Sequence, residues 1–411
     1  MTNQIVGNHA LNKVMESNIL KISQEAKAAK AQNPEVIDAT VGMLHKEDGK
    51  LFKYIQVEEL LKGLTDSEMY FYAPVNGTKE FSNGVVDWVF GKHKAAIMEK
   101  FHLSVIPTTG GSGALSNSLY NFNDFGQAML IPNYYWTPYE NIAEEAHVGV
   151  ETFQLFDENY HFNLKDFEEK AKSLAKRQNR LFLILNDPCN NPTGFCLSKQ
   201  DWKNVIGVLN EISRNNVPVI LVHDSAYIDY QMKSHESSRD VYEAFLDLDE
   251  NILAIIAFSG SKTFSMYGFR IGAQLGISKS KAIIDEFNRV GDYSVRARFS
   301  SVSRPAMSVI GKIFANPDIK KQFIEQIDIA KDLLRKRIEL FEEVAAKEGL
   351  NVLPYGGGFF VGIETNNQNI FKDLVNDGVF IIAMPGMIRI ALSSVKLTEI
   401  ERLVKIIKKH I

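Results

Sequence analysis

The stretch Ile252-Leu253-Ala254-Ile255-Ile256-Ala257-Phe258-Ser259-Gly260-Ser261-Lys262-Thr263-Phe264-Ser265-Met266-Tyr267-Gly268-Phe269-Arg270-Ile271-Gly272 decides how the rest of the chain is read. It opens on an unbroken apolar run of strand length and passes straight into small hydroxylated residues and glycine. Such a run, rich in isoleucine and bounded by Ser and Gly, suits a strand buried on both faces. A lone lysine is ordinarily a solvated surface residue. Lys262 instead stands just past the end of the run among Ser259, Ser261 and Thr263, with Arg270 eight residues on. An amine that is partly desolvated and near other cations can become a nucleophile.

The same grammar repeats outward from this segment. Leu103–Ile106, Ala128–Ile131, Thr152–Leu155, Leu181–Leu185, Val217–Val222 and Ile271–Gly276 are further short runs. Amphipathic helical patterns such as Leu164–Lys176 and Lys199–Asn215 separate them. This alternation predicts βα units around a largely buried, mostly parallel sheet. The last third differs. Pro317 suits the start of a long charged helix over Asp318–Lys347. Asn351–Ile363 comes next, broken by Gly356, Gly357 and Gly358, and then strand-like Val379–Ala383 and Ile388–Leu392 between short helical segments. The expected division is an N-terminal arm (1–15), a large domain (51–329) and a smaller α+β domain built from 16–50 and 330–411.

Ligands of open α/β sheets lie outside the carboxyl ends of the strands, so the residues just past each run carry the weight. Leu103–Ile106 leads to Thr108-Thr109-Gly110-Gly111-Ser112-Gly113 and a helical pattern. Free N–H groups at a helix start favour a phosphate, although a plain glycine bend reads the same way. Ala128–Ile131 leads to Pro132-Asn133-Tyr134-Tyr135-Trp136, an aromatic face for a planar ligand or simply core packing. Leu181–Leu185 leads to Asn186-Asp187-Pro188-Cys189-Asn190-Asn191-Pro192-Thr193-Gly194, a turn whose side-chain amides can donate to a phenolate-like oxygen. Val217–Val222 leads to His223-Asp224-Ser225-Ala226-Tyr227. An aspartate there is a helix cap, or it is an anion in need of a cation such as a protonated ring nitrogen. Singly, each signal is modest. Together they supply a phosphate loop, a stacking aromatic, an oxygen donor, an anion, an amine and a guanidinium, the parts that pyridoxal phosphate (PLP) needs from a protein.

Bulk properties agree with such a reading. The chain has 411 residues, 45% of them hydrophobic and 23% charged, and a formal net charge of -4. It has no basic excess that would invite nucleic acid or an anionic membrane. No apolar run approaches membrane-spanning length, and Met1–Ala10 lacks the apolar core of a signal peptide. A cytoplasmic location is the expectation, with the only two cysteines, Cys189 and Cys196, as reduced thiols. No metal site is expected, since two cysteines do not make a four-ligand set.

The ordered set resembles the class I PLP-dependent aminotransferases, the group that includes the aspartate and aromatic amino-acid enzymes. The likeness runs from Ala39 to Ser394 and is carried by Ser259-x-Ser261-Lys262 with Arg270, by Asn191-Pro192-Thr193-Gly194 and by Asp224-x-Ala226-Tyr227. It implies the type I PLP fold, an α/β large domain with a mostly parallel mixed sheet beside a smaller domain. It implies Lys262 as the lysine that carries the cofactor and moves the proton. Asp224 would pair with the ring nitrogen, Asn191 and Tyr227 with the ring oxygen, and Trp136 would stack on the ring. Gly111, Ser112, Ser259, Ser261 and Arg270 would bind the phosphate. Arg389 would grip the substrate α-carboxylate near the backbone of Gly42, with Trp136 and Asn191 also facing substrate. Tyr72 would reach the phosphate of a neighbouring subunit, and Arg296 would cross to a distal carboxylate there, with Arg298 and Arg304 as rivals. Both assignments imply a homodimer.

The sequence departs from the aspartate enzymes at Tyr139 and Asn190, where they carry or often carry histidine. The activity implied is ping-pong transfer of an amino group from an aromatic or acidic L-amino acid to a 2-oxo acid such as 2-oxoglutarate. A β-lyase or decarboxylase on the same fold is the alternative. A non-catalytic regulator is remote, because the residues before Gly42 offer no basic DNA-binding addition.

Overall fold

The structure, a computed structural model, describes residues 5–11, 13 and 19–411. Of the expected N-terminal arm, residues 1–4, 12, 14 and 15 lie outside the described residues. Twelve strands are described: β1 (Ile37–Asp38), β2 (His102–Thr108), β3 (Ala128–Pro132), β4 (Gly149–Phe153), β5 (Leu181–Asn186), β6 (Val219–Asp224), β7 (Ile252–Ser259), β8 (Gly272–Ser278), β9 (Phe360–Glu364), β10 (Val379–Phe380), β11 (Ile382–Met384) and β12 (Met387–Ala391).

Seven of them form one sheet in the order β2-β8-β7-β6-β5-β3-β4. β8 runs antiparallel to both its neighbours, and the remaining pairs are parallel, so the sheet is mixed. Strands β5, β6, β7 and β8 are buried at every residue. That is why they read as continuous apolar runs rather than alternating ones. The fourth strand is the exception. It spans Gly149–Phe153 rather than the expected Thr152–Leu155, because β4 is an edge strand with exposed residues and carries no continuous apolar signal. A charge at Glu151 suits an edge, since it discourages pairing with another chain.

Register brings the strand ends into line. Asn186 pairs with Asp224, Asp224 with Ala257, and Ser259 and Thr108 both pair with Gly272. The residues just beyond these ends are therefore neighbours in space, although long stretches of chain separate them. Glycine is required at Gly272, where a Cβ would lie 2.6 Å from the Gly110 carbonyl carbon.

The main apolar core covers this sheet. A second cluster runs through Ile37 and Ala39, then Ile338 to Ile407, and includes Val361 and Ile363 of β9 and Ile388 and Ile390 of β12, two strands of the three-stranded sheet β11-β12-β9. The long helix spans Pro317–Lys347. Asn316 caps it by accepting from the amides of Asp318 and Ile319, with proline in the first turn. Its Phe323 to Leu334 face the main core, and its Ile338 to Ala345 face the second. Among the described residues, no helix is long and apolar enough to cross a membrane.

Candidate active site

Strand β7 ends at Ser259, whose Oγ accepts from the Ser261 amide at 3.4 Å and starts a four-residue helix, Gly260–Thr263. Lys262 sits on that helix and projects into a cavity of about 330 Å³ at the strand ends. Its Nζ donates to the Gly42 carbonyl at 2.8 Å and lies 4.9 Å from the centre of the Tyr267 ring. Burial, with Arg389 and Arg270 adding repulsion, lowers its pKa from 10.5 to about 7. The amine is therefore about half neutral near pH 7, against almost none for an ordinary lysine. In cofactor-free protein, modification of Lys262 by small aldehydes should rise with pH through a midpoint near 7. Peptide mass spectrometry of reduced samples measures this, and a midpoint near 10.5 would contradict the burial argument.

Arg270 lies in the left-handed region at φ 52°, an uncommon setting for a bulky residue and one that collects at functional sites. Its Nη1 donates to Ser261 Oγ at 3.0 Å and to the Tyr267 carbonyl at 3.1 Å. Across from it the helix Gly110–Phe122 begins, with Gly111 and Ser112 on the cavity wall. A Cβ on Gly110 (φ 74°) would come within 2.8 Å of Arg270 Nη2. The bare backbone thus lets a guanidinium and a helix N-terminus meet around one anion-sized place.

Asp224 ends β6 at 4% exposure. Its Oδ2 accepts from Tyr139 Oη at 2.7 Å and its Oδ1 from the Ala226 amide at 3.2 Å. These partners are a hydroxyl and an amide rather than a cation, and burial raises the carboxyl from 3.8 to about 6 despite them. A carboxylate in this state is stabilised by any cation that enters the cavity. Trp136 stands edge-on to Tyr139 with ring centres 5.6 Å apart. Asn191 is held by its amide on Asn186 Oδ1 at 2.7 Å, and Asn186 in turn donates to the Asp224 carbonyl at 2.9 Å.

Arg389 enters from β12. Its Nη2 donates to the Thr40 carbonyl at 2.6 Å and its Nη1 to Asn191 Oδ1 at 3.3 Å, while its guanidinium lies 4.3 Å from the Phe360 ring centre. Its Nε is buried without a hydrogen-bond partner among the described residues. An orphaned guanidinium donor at a cavity wall calls for an acceptor, and a carboxylate fits.

Of the residues read from sequence, Gly42, Gly111, Ser112, Trp136, Asn191, Asp224, Tyr227, Ser259, Ser261, Lys262, Arg270 and Arg389 all line this cavity. Two do not. Tyr72 is 88% exposed, and Arg296 donates to Ser300 Oγ at 2.6 Å outside the cavity. Sequence reading missed Ile19, Met43, Tyr267 and Phe360 on the wall. Tyr267 was open to discovery, since it lies five residues after Lys262 within the deciding segment. Its hydroxyl accepts from the Leu44 amide at 3.1 Å and ties the lysine segment to the Gly42 loop. Cys189 and Cys196 are both free, with their sulfurs 3.9 Å apart.

An amine, a guanidinium facing a helix N-terminus, a buried carboxylate and an arginine with an unpaired donor thus meet at the ends of one mixed sheet. The chain belongs to the aminotransferase class I and II family, whose model matches residues 35–407. It is 30% identical to an aminotransferase from Anaerococcus prevotii whose structure superposes with a TM-score of 0.94, covering 99% of each chain. It is 24% identical over 351 residues to the aspartate aminotransferase of Salmonella typhi, covering 84% of each. The aromatic-amino-acid aminotransferase of Burkholderia pseudomallei, solved covalently bound to pyridoxal phosphate, shares the fold at a TM-score of 0.79 and 18% identity, covering 98% of this chain and 99% of its own. Family and fold imply PLP as cofactor, and the donor set of the cavity fits it.

Proposed function

We propose that the protein transfers an amino group from an aromatic or acidic L-amino acid to a 2-oxo acid such as 2-oxoglutarate by a ping-pong mechanism, and that each cavity residue has a distinct part in it. Pyridoxal phosphate, when bound, supplies an aldehyde carbon and a protonated ring that accepts electrons. Gly111, Ser112, Ser259, Ser261 and Arg270 would hold its phosphate. Asp224 would hold the ring nitrogen, Asn191 and Tyr227 the ring oxygen, and Trp136 the ring face. Lys262 Nζ would be the attachment point for its aldehyde carbon. As a neutral amine in a buried site near pH 7, the same Nζ would take the proton from the substrate α-carbon. Arg389 takes the α-carboxylate through Nε and an Nη, beside the Gly42 backbone.

The observation that carries this reading is the placement of Lys262, Asp224, Arg270 and Arg389 around one cavity. Initial rates measured against donor at several acceptor concentrations test it. Parallel reciprocal lines are expected. Release of pyruvate or carbon dioxide without any acceptor acid would instead favour the β-lyase or decarboxylase alternative.

A homodimer is part of the proposal. Tyr70, Phe71 and Tyr72 are 78%, 66% and 88% exposed, an aromatic run that water alone does not favour. This supports Tyr72 reaching a neighbouring subunit's phosphate; Arg296 is assigned, on the resemblance alone, to a substrate's distal carboxylate. Arg298, one of the two rivals, is already engaged with Asn117 Oδ1 at 2.8 Å and stacked 4.3 Å over Tyr120. Arg296→Ala should lower kcat/KM for aspartate or glutamate by at least about thirtyfold, as loss of a paired carboxylate contact does, and spare phenylalanine. Equal loss on both substrates would count against the assignment. A cytoplasmic setting is supported by two free thiols this close together.

A further inference from the structure

The lysine turn is gripped by a segment with no place in the cavity. Directly after Tyr227 the chain makes a short 3-10 turn, Ile228–Tyr230, with all three residues buried. Two consecutive residues of this turn hold two consecutive residues of the lysine turn. Tyr230 Oη donates to the Lys262 carbonyl at 2.9 Å, and Asp229 Oδ2 accepts from Thr263 Oγ1 at 2.6 Å. The grip is itself anchored. Tyr54 and Tyr230 hydroxyls are 2.8 Å apart. Asp229 accepts from the Trp88 indole at 3.0 Å and from Arg239, whose guanidinium lies over the Trp88 ring. Both members of the Asp229–Arg239 pair have side chains 0% exposed.

Burying such a pair often adds no stability over well-packed apolar residues of the same volume. What the pair does supply is a charged acceptor fixed at one point, and the side chain that takes it belongs to the residue next to Lys262. The lysine itself needs fixing. Its side chain has four rotatable bonds, so the position of Nζ depends on where the turn holds the backbone.

We propose that Asp229, with Arg239 as counter-ion and Tyr230 beside it, is a positioning residue for amino-group transfer, holding the backbone of Lys262 so that Nζ returns to one place between its carrying and proton-moving roles. The inference rests on the proposed role of Lys262. Misplacement of a reacting group by as little as about 1 Å is costly in rate, so a small slackening of the turn is readable.

Thr263→Val keeps the volume and removes the hydroxyl, while Thr263→Ser keeps the hydroxyl. Protein stripped of cofactor is given pyridoxal phosphate, and the rate of attachment to Lys262 is recorded. After loading, kcat and KM for one donor are measured. Thr263→Val is expected to slow attachment and lower kcat by about tenfold each, with KM within about twofold. Thr263→Ser should restore both. Should Thr263→Val fail to fold, Tyr230→Phe removes the other contact with a single hydroxyl and carries the same expectation. The grip is overturned if the variant attaches cofactor and turns over like the unaltered protein, or if serine fares no better than valine. An unaltered protein that takes up no pyridoxal phosphate overturns the reading of Lys262 itself, and this inference with it.

Discussion

Lys262→Ala should leave a folded protein that has lost amino-group transfer, with kcat/KM down by at least about 10⁴-fold. Two separate losses combine. The cofactor loses its covalent attachment, and the substrate α-carbon loses its base, a role worth up to about 10⁴-fold alone. Stability should not fall. The lysine has a pKa lowered to about 7 by burial, Arg389 and Arg270, so removing it relieves a desolvated amine crowded by cations. Borohydride reduction of the loaded wild-type chain should fix the cofactor's mass on the peptide containing Lys262, and the variant should show no such mass. An active variant, or one labelled equally on another lysine, would refute the assignment.

Asp224→Asn carries the second-largest effect. The carboxylate is buried, and its folded pKa of about 6 lies above its ordinary 3.8. Folding therefore favours the neutral acid. That contribution is full below about pH 4 and is lost as pH rises through about 6. In cofactor-free protein, the asparagine variant should lose this part of the pH dependence of stability and be no less stable at pH 8. With cofactor the sign reverses, because the ionised carboxylate has a ring N–H⁺ to meet. Removing one partner of a buried charge pair costs about 3 kcal/mol, so the affinity for pyridoxal phosphate should fall by on the order of 10²-fold, and kcat with it. Thermal melts from pH 4 to 8 with and without cofactor, and a titration of binding, measure both arms. Unchanged affinity would sink the pairing of Asp224 with the ring.

Much of this site was legible because the chemistry lies at strand ends, and strands β5 to β8 are buried so completely that their ends are sharp in sequence. Lys262, Asp224 and Asn191 each come at or within a few residues of the end of such a run, and Arg270 comes just before the start of the next. What sequence did not reveal depends on contacts across the chain. Tyr267 meets Leu44 over 223 positions, and Tyr139, visible only as a departure from histidine, meets Asp224 over 85. The Asp229–Arg239 pair looks like ordinary charge in sequence, and only its burial makes it notable. Edge strand β4 was misplaced because half-exposed strands carry a diluted apolar signal. Tyr72 and Arg296, read from sequence as site residues, lie outside the cavity of their own chain.

The most direct test is the visible absorption spectrum of the purified protein supplied with pyridoxal phosphate, recorded before and after adding a single L-amino acid with no 2-oxo acid present. The account predicts a yellow band that fades on addition of an aromatic or acidic amino acid, with about one equivalent of the matching 2-oxo acid released per site. A protein that stays colourless with added pyridoxal phosphate would contradict it at Lys262.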